Sequence, residues 1–257
     1  MRNSILPFLA IVLIAGCQTQ NNQDPLRQQL NDAKVALQQQ QYDQAIQVSD
    51  QILAAHPDGV GAPEALYFRG RAYQDRPKAN VSEETSDYLA ARKAYVTALQ
   101  MPVETPLEGR LRAGIALVAY FQDDFETSRS QWVAAYDKLD NLDDKALVWY
   151  RYGQANQRLG RWTEADEAFA AVQQMVPGCP VAASAAALSG CRAFYVQIGK
   201  AANDRDAQGV IAQLRRLGYV AAVRQGVISI GPIPDYPHAK AARNAVAAQF
   251  PQASVFP

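Results

Sequence analysis

Residues 149–177 read WYRYGQANQRLGRWTEADEAFAAVQQMVP. Two segments with helical apolar spacing meet at Leu159-Gly160, and Pro177 closes the second, which is the outline of a helical hairpin. Its second segment opens with Trp162-Thr163-Glu164-Ala165, an aromatic followed three positions on by a small residue. Working outward, the same pattern returns at Tyr42-Asp43-Gln44-Ala45, Tyr88-Leu89-Ala90-Ala91 and Phe125-Glu126-Thr127-Ser128, with the small residues 46, 37 and 37 positions apart. A large side chain follows four positions later at Tyr95, Trp132 and Phe169. Small residues let paired helices cross closely, and the aromatics are expected to fill the grooves between hairpins. A lone hairpin cannot bury its apolar face, so several must stack. Four such units are expected over residues 28–178, with Trp149, Trp162 and Phe169 buried between helices.

Residues Trp149, Gly153, Leu159-Gly160, Trp162, Ala165, Phe169 and Pro177 resemble a tetratricopeptide repeat (TPR), whose period is about 34 residues. The first unit matches at Tyr42, Ala45 and Pro57, and the second at Gly70, Tyr73, Tyr88, Ala91 and Tyr95. Around Pro77 to Asp87 an insertion is expected to lengthen the turn of the second unit. The third unit departs from the pattern at Ala116 and Asp140. The resemblance implies a concave surface for a protein partner. Residues 179–191 are expected to cap or link the array.

From residue 192 the period changes. Phe194 to Ile198 is β-rich, and Asn203 or Asp204 opens a helix whose apolar face runs through Ala207, Ile211 and Leu214 to Gly218. Tyr219 to Val223 and Val227 to Ile230 predict two strands joined at Gln225-Gly226. Pro237 opens a second helix, and Ser254 to Phe256 forms a last strand. This βαββαβ order makes the chain α+β, a helical solenoid followed by a small ferredoxin-like module. The residues Val196-Gln197-Ile198-Gly199, Leu214 to Tyr219 and Ile230-Gly231-Pro232 make residues 192–257 similar to a SPOR domain. That resemblance implies binding of peptidoglycan, with a preference for glycan strands stripped of their stem peptides. Strand alternation turns Tyr195 and Gln197 away from the helices. Together with Ser229 and Arg224 they are the candidate glycan contacts, whereas Val227 stands where the family tends to carry an aromatic or basic residue. Stripped strands lose the carboxylates of their peptides, so neutral hydrogen bonding is expected to dominate.

At the other end, Arg2 precedes an apolar run from Ile5 to Ala15 that closes on Ile14-Ala15-Gly16-Cys17. The run is too short to span a bilayer and has the form of a secretory signal. It resembles the lipobox of bacterial lipoproteins, which implies residues 1–16 as signal peptide and acylation (palmitate) of Cys17. Residues 17–27 form a polar tether, and Gln18 after the cysteine implies the periplasmic face of the outer membrane. Cys179 and Cys191 remain, either bonded to each other or as two independent buried thiols. Lys and Arg number 25, as do Asp and Glu, and this balance argues against a nucleic-acid partner. No metal-ligand spacing, nucleophile elbow or phosphate loop occurs, so neither an enzyme nor a cofactor is expected. The expected function is an outer-membrane adaptor in cell division or envelope maintenance. It would touch peptidoglycan with one end and a periplasmic or membrane protein with its repeats. The rival is a scaffold for outer-membrane assembly or secretion without glycan binding.

Overall fold

The computed structural model describes residues 25–257, so the signal, Cys17 and most of the tether lie outside the described residues. Eight helices form four antiparallel hairpins: α1 (Pro25–Gln38) with α2 (Tyr42–Ala55), α3 (Ala62–Asp75) with α4 (Val81–Leu99), α5 (Thr105–Phe121) with α6 (Phe125–Tyr136), and α7 (Leu142–Arg158) with α8 (Trp162–Met175). Each packs against its neighbours in sequence, and α3 also touches α1 and α5, so the first helices of successive hairpins form an inner layer.

The small residues do what their spacing predicts. A Cβ on Gly153 would stand 2.5 Å from the ring of Phe169, which is fully buried. Tyr95 is held on two sides: Cβ atoms on Gly70 and Gly114 would fall 2.4 and 2.6 Å from its ring. Its hydroxyl donates to Gln74 Oε1 at 3.0 Å. In the third unit Ala116 takes the glycine's place and is buried beside Trp132.

Two expectations are corrected here. The insertion in the second unit is not a long turn. Asn80 caps α4 by accepting from the Glu83 amide, and most of the extra residues become the first turns of that 19-residue helix. Trp149 and Trp162 are only half-buried. Trp149 is stacked between Tyr136 and Tyr152, and Trp162 packs on Phe194, outside the repeats.

The helix α9 (Pro180–Leu188) lays Ala182, Ala185 and Leu188 on the Phe169 cluster and covers the end of the array. The buried Gln157 amide donates to Leu188 O at 2.9 Å and ties this cap to α7. Cys179 and Cys191 flank α9 and are free thiols.

The C-terminal module consists of β1 (Phe194–Gly199), α10 (Asp204–Arg216), β2 (Ala221–Arg224), β3 (Val227–Ile233), α11 (Tyr236–Val246) and β4 (Ser254–Phe256), the order expected. Its antiparallel sheet runs β2-β3-β1-β4. Gln225 and Gly226 both have positive φ, as a tight hairpin turn requires. Val196, Ile198, Ile228 and Ile230 meet Ala207, Ile211, Leu214 and Val246 in a core on one side of the sheet only.

This module is docked on the last two hairpins. Phe194 is fully buried and packs on Trp162 and Tyr236, and Tyr236 packs edge-on against Phe125. The Arg158 guanidinium lies 4.5 Å from the Tyr236 ring centre and 5.7 Å from that of Phe194. Asp123, at the α5–α6 turn, accepts from the Tyr236 hydroxyl at 3.1 Å and pairs with Lys240. Burial and the nearby Asp123 carboxylate push the Tyr236 hydroxyl up to about 12, against the opposing pull of Arg158.

Candidate functional site

The side of the sheet away from α10 and α11 is the candidate site. Strand alternation puts Val196 and Ile198 in the core and leaves Tyr195 and Gln197 half-buried on the other face. The register then draws one row across all four strands: Ala222 opposite Ser229, Ser229 opposite Gln197, and Gln197 opposite Ser254. Every member is small or amide-bearing. No side-chain hydrogen bond engages Gln197 among the described residues, so its amide offers both donors and an acceptor outward.

Tyr195 stands beside this row and pairs with Phe256 on β4. Gly231 lies beneath its ring: a Cβ there would come 2.9 Å from Tyr195 Cδ1, and φ is +128°. Glycine at this position lets the ring lie down on the strand. Arg224, exposed at the end of β2, carries its guanidinium to 4.6 Å from the Tyr195 ring centre. Because β3 separates β2 from β1, the Arg224 side chain passes over β3 to get there. Ser229 faces the same side but is only 3% exposed, and its hydroxyl reaches no further than Val227 O at 3.4 Å. The structure thus brings Tyr195, Gln197, Arg224 and Ser229 to one face, with a correction: Ser229 is a covered floor residue and not an open contact.

Ala222 and Ser254 belong to the row and were not singled out in the sequence. Alternation could have placed each on a face. Nothing local says that β4 pairs with β1 or that β2 lies outermost.

Further concavities lie on both parts of the molecule. On the repeats, α1, α3, α5 and α7 line a trough whose halves enclose about 490 and 260 Å³ and share Tyr67, Arg71, Asp75 and Arg110. Arg71 is tied to Asp75 at 2.6 Å, and Arg110 sits over the Tyr67 ring at 5.7 Å. Apolar Leu117, Trp132, Leu147 and Val148 line the inner end. On the C-terminal module, an apolar cleft of about 700 Å³ opens between the Tyr219–Val220 segment, Pro232 and α11. No group of three or more side chains suited to a metal ion occurs among the described residues. No described helix is long and apolar enough to cross a membrane. Asp123 and Asp124 have structural partners: Asp124 caps α6 and Asp123 holds the docked module; Asp143 and Asp144 lie in the first turn of α7, their backbone amides donating to Asn141.

Comparison with known families agrees with this architecture. Residues 192–257 match the SPOR domain, and residues 147–178 match the tetratricopeptide repeat. No curated protein matches the chain. The chain is thus a TPR-type helical array carrying a C-terminal SPOR domain. A SPOR domain points to peptidoglycan as ligand and the repeats to a protein partner, and both are binding modules, not catalytic ones.

Proposed function

We propose that this chain is an envelope adaptor, held to the outer membrane by lipid on Cys17, that grips glycan with its SPOR sheet and a protein with its repeat trough. The observation that carries the glycan half is the neutral row Ala222–Ser229–Gln197–Ser254, with the unengaged Gln197 amide at its centre and the Tyr195 ring beside it. Sugars need amide and hydroxyl partners for their hydroxyls and flat apolar surface for their ring faces, and this face supplies both. As the SPOR resemblance implies, the preferred strand is one without stem peptides. The setting is cell division or envelope maintenance, where such strands arise.

Co-sedimentation of the purified full chain, in detergent, with partly amidase-digested and with untreated sacculi tests this reading. Greater retention by the digested sacculi is expected; equal retention, or none, contradicts it. The anchor has its own test. Cells given labelled palmitate should mark the wild-type chain and not Cys17→Ser, and label on the variant would remove the anchor.

One observation favours a second reading. The docked face of Phe194 and Tyr236 gives the SPOR domain a structural role on the repeats, which suits a scaffold that binds protein alone. Under that reading neither sacculus preparation retains the chain.

A further inference from the structure

The four strands of the SPOR sheet contain no Asp or Glu, and Arg224 is their one charged residue. Several arginines elsewhere rest on carboxylates, among them Arg76 on Asp87 at 2.5 Å, Arg161 on Glu126 at 2.6 Å and Arg192 on Asp166 at 2.6 Å. Arg224 has no such partner among the described residues, and it donates no side-chain hydrogen bond there. Its guanidinium is parked over the Tyr195 ring, at the edge of the neutral row. Contact with a ring face uses none of the in-plane N–H donors, so the fork that suits a carboxylate is wholly free. A lone cation over a neutral, hydroxyl- and amide-lined floor is a site for a sugar that carries one negative charge.

Stripping a glycan strand creates that charge. The stem peptide is joined to the lactyl group of the muramic acid residue by an amide. Its hydrolysis consumes one water and leaves a free carboxylate on the lactyl group and an amine on the departing peptide. An intact strand has a neutral amide at this place; a stripped strand has an anion. We propose that Arg224 binds the lactyl carboxylate that amidase action uncovers, so that the chain recognises stripped strands by their new charge as well as by the room the peptide leaves. This rests on the glycan reading above and changes one part of it: binding depends on salt, where neutral hydrogen bonding alone would not.

The test uses soluble stripped strands and the same strands with their carboxylates converted to methylamides by carbodiimide and methylamine. Calorimetric titration of the full chain should show the methylamide form binding about three- to tenfold more weakly, the range for a charge-assisted pair that stays partly exposed. Arg224→Ala should bind both forms alike at the weaker level, Arg224→Lys should recover part of the difference, and added salt should erode it. Gln197→Ala, on the same face, should weaken both forms by a similar factor. Equal binding of the two forms by the wild type, or a preference that survives in Arg224→Ala, overturns the assignment of Arg224 and leaves the glycan reading standing. Binding of neither form overturns the glycan reading itself, and the Arg224 assignment with it.

Discussion

Asp87 is 2% exposed and nonetheless charged, held by Arg76 Nη2 at 2.5 Å and Nε at 2.6 Å, with Lys78 at 3.3 Å. Burial alone would raise its pKa, but the bonds from Arg76 and Lys78 hold it below the usual carboxylate range. Breaking one side of a buried ion pair strands the other charge, so Asp87→Asn is expected to lower stability by roughly 3 kcal/mol in urea denaturation at neutral pH. A depressed carboxylate stabilises fully above its unfolded pKa of about 3.9 and loses that contribution as pH falls through the lower folded value. The gap between wild type and Asp87→Asn should therefore close on acidification below about pH 4. At Gln197 the consequence falls on binding instead. Its amide is unengaged on the sheet face, and a neutral hydrogen bond contributes about 0.5–1.5 kcal/mol net. Gln197→Ala should weaken glycan retention about two- to tenfold and leave the unfolding midpoint in place. Alternation along β1 was enough to aim Gln197 outward from the sequence. The burial of Ser229 was not legible, because alternation along β3 gives a residue its face and not what covers it.

The repeating hairpins were legible element by element, since each aromatic-x-x-small signature falls at the start of a second helix: Tyr42, Phe125 and Trp162 are the first residues of α2, α6 and α8. The exception is instructive. Tyr88 lies well inside α4, because Asn80 with Glu83 caps the helix early and Glu83 reaches back to the Ala79 amide at 2.7 Å. That capping signature was present in the sequence and announces a helix start, not a loop. Less accessible was the role of Gly114, which serves Tyr95 of the preceding hairpin and not its own. Gly114→Ala would drive a methyl group into that ring, and overpacking of this kind costs about 1–3 kcal/mol. A drop of that size in the denaturation midpoint, relieved when Tyr95 is also reduced to Leu, is expected. No change in the midpoint would mean that α3, α4 and α5 do not close on Tyr95 as described.

At the scale of the whole molecule, the decisive contacts join residues far apart in the chain. Asp123 meets Tyr236 and Lys240 across 113 and 117 positions, and Arg158 fits between rings supplied by the other domain. No periodicity announces such pairs, which is why the two domains were legible and their docking was not. With Phe194 fully buried at this junction, repeats and SPOR domain are expected to unfold in one denaturant transition. Phe194→Ala combined with Tyr236→Ala should split that transition in two, and two transitions already in the wild type would mean that the junction contributes little. The docking leaves the row on β2, β3, β1 and β4 as the binding face, and that is the central claim. Backbone amide shifts of the full chain, recorded while soluble stripped glycan is added, test it most directly. The account predicts the largest changes at Ala222, Ser229, Gln197 and Ser254, with Tyr195 and Arg224 following. Changes gathered instead around Tyr219, Val220 and Ala241, in the apolar cleft beside α11, would contradict it.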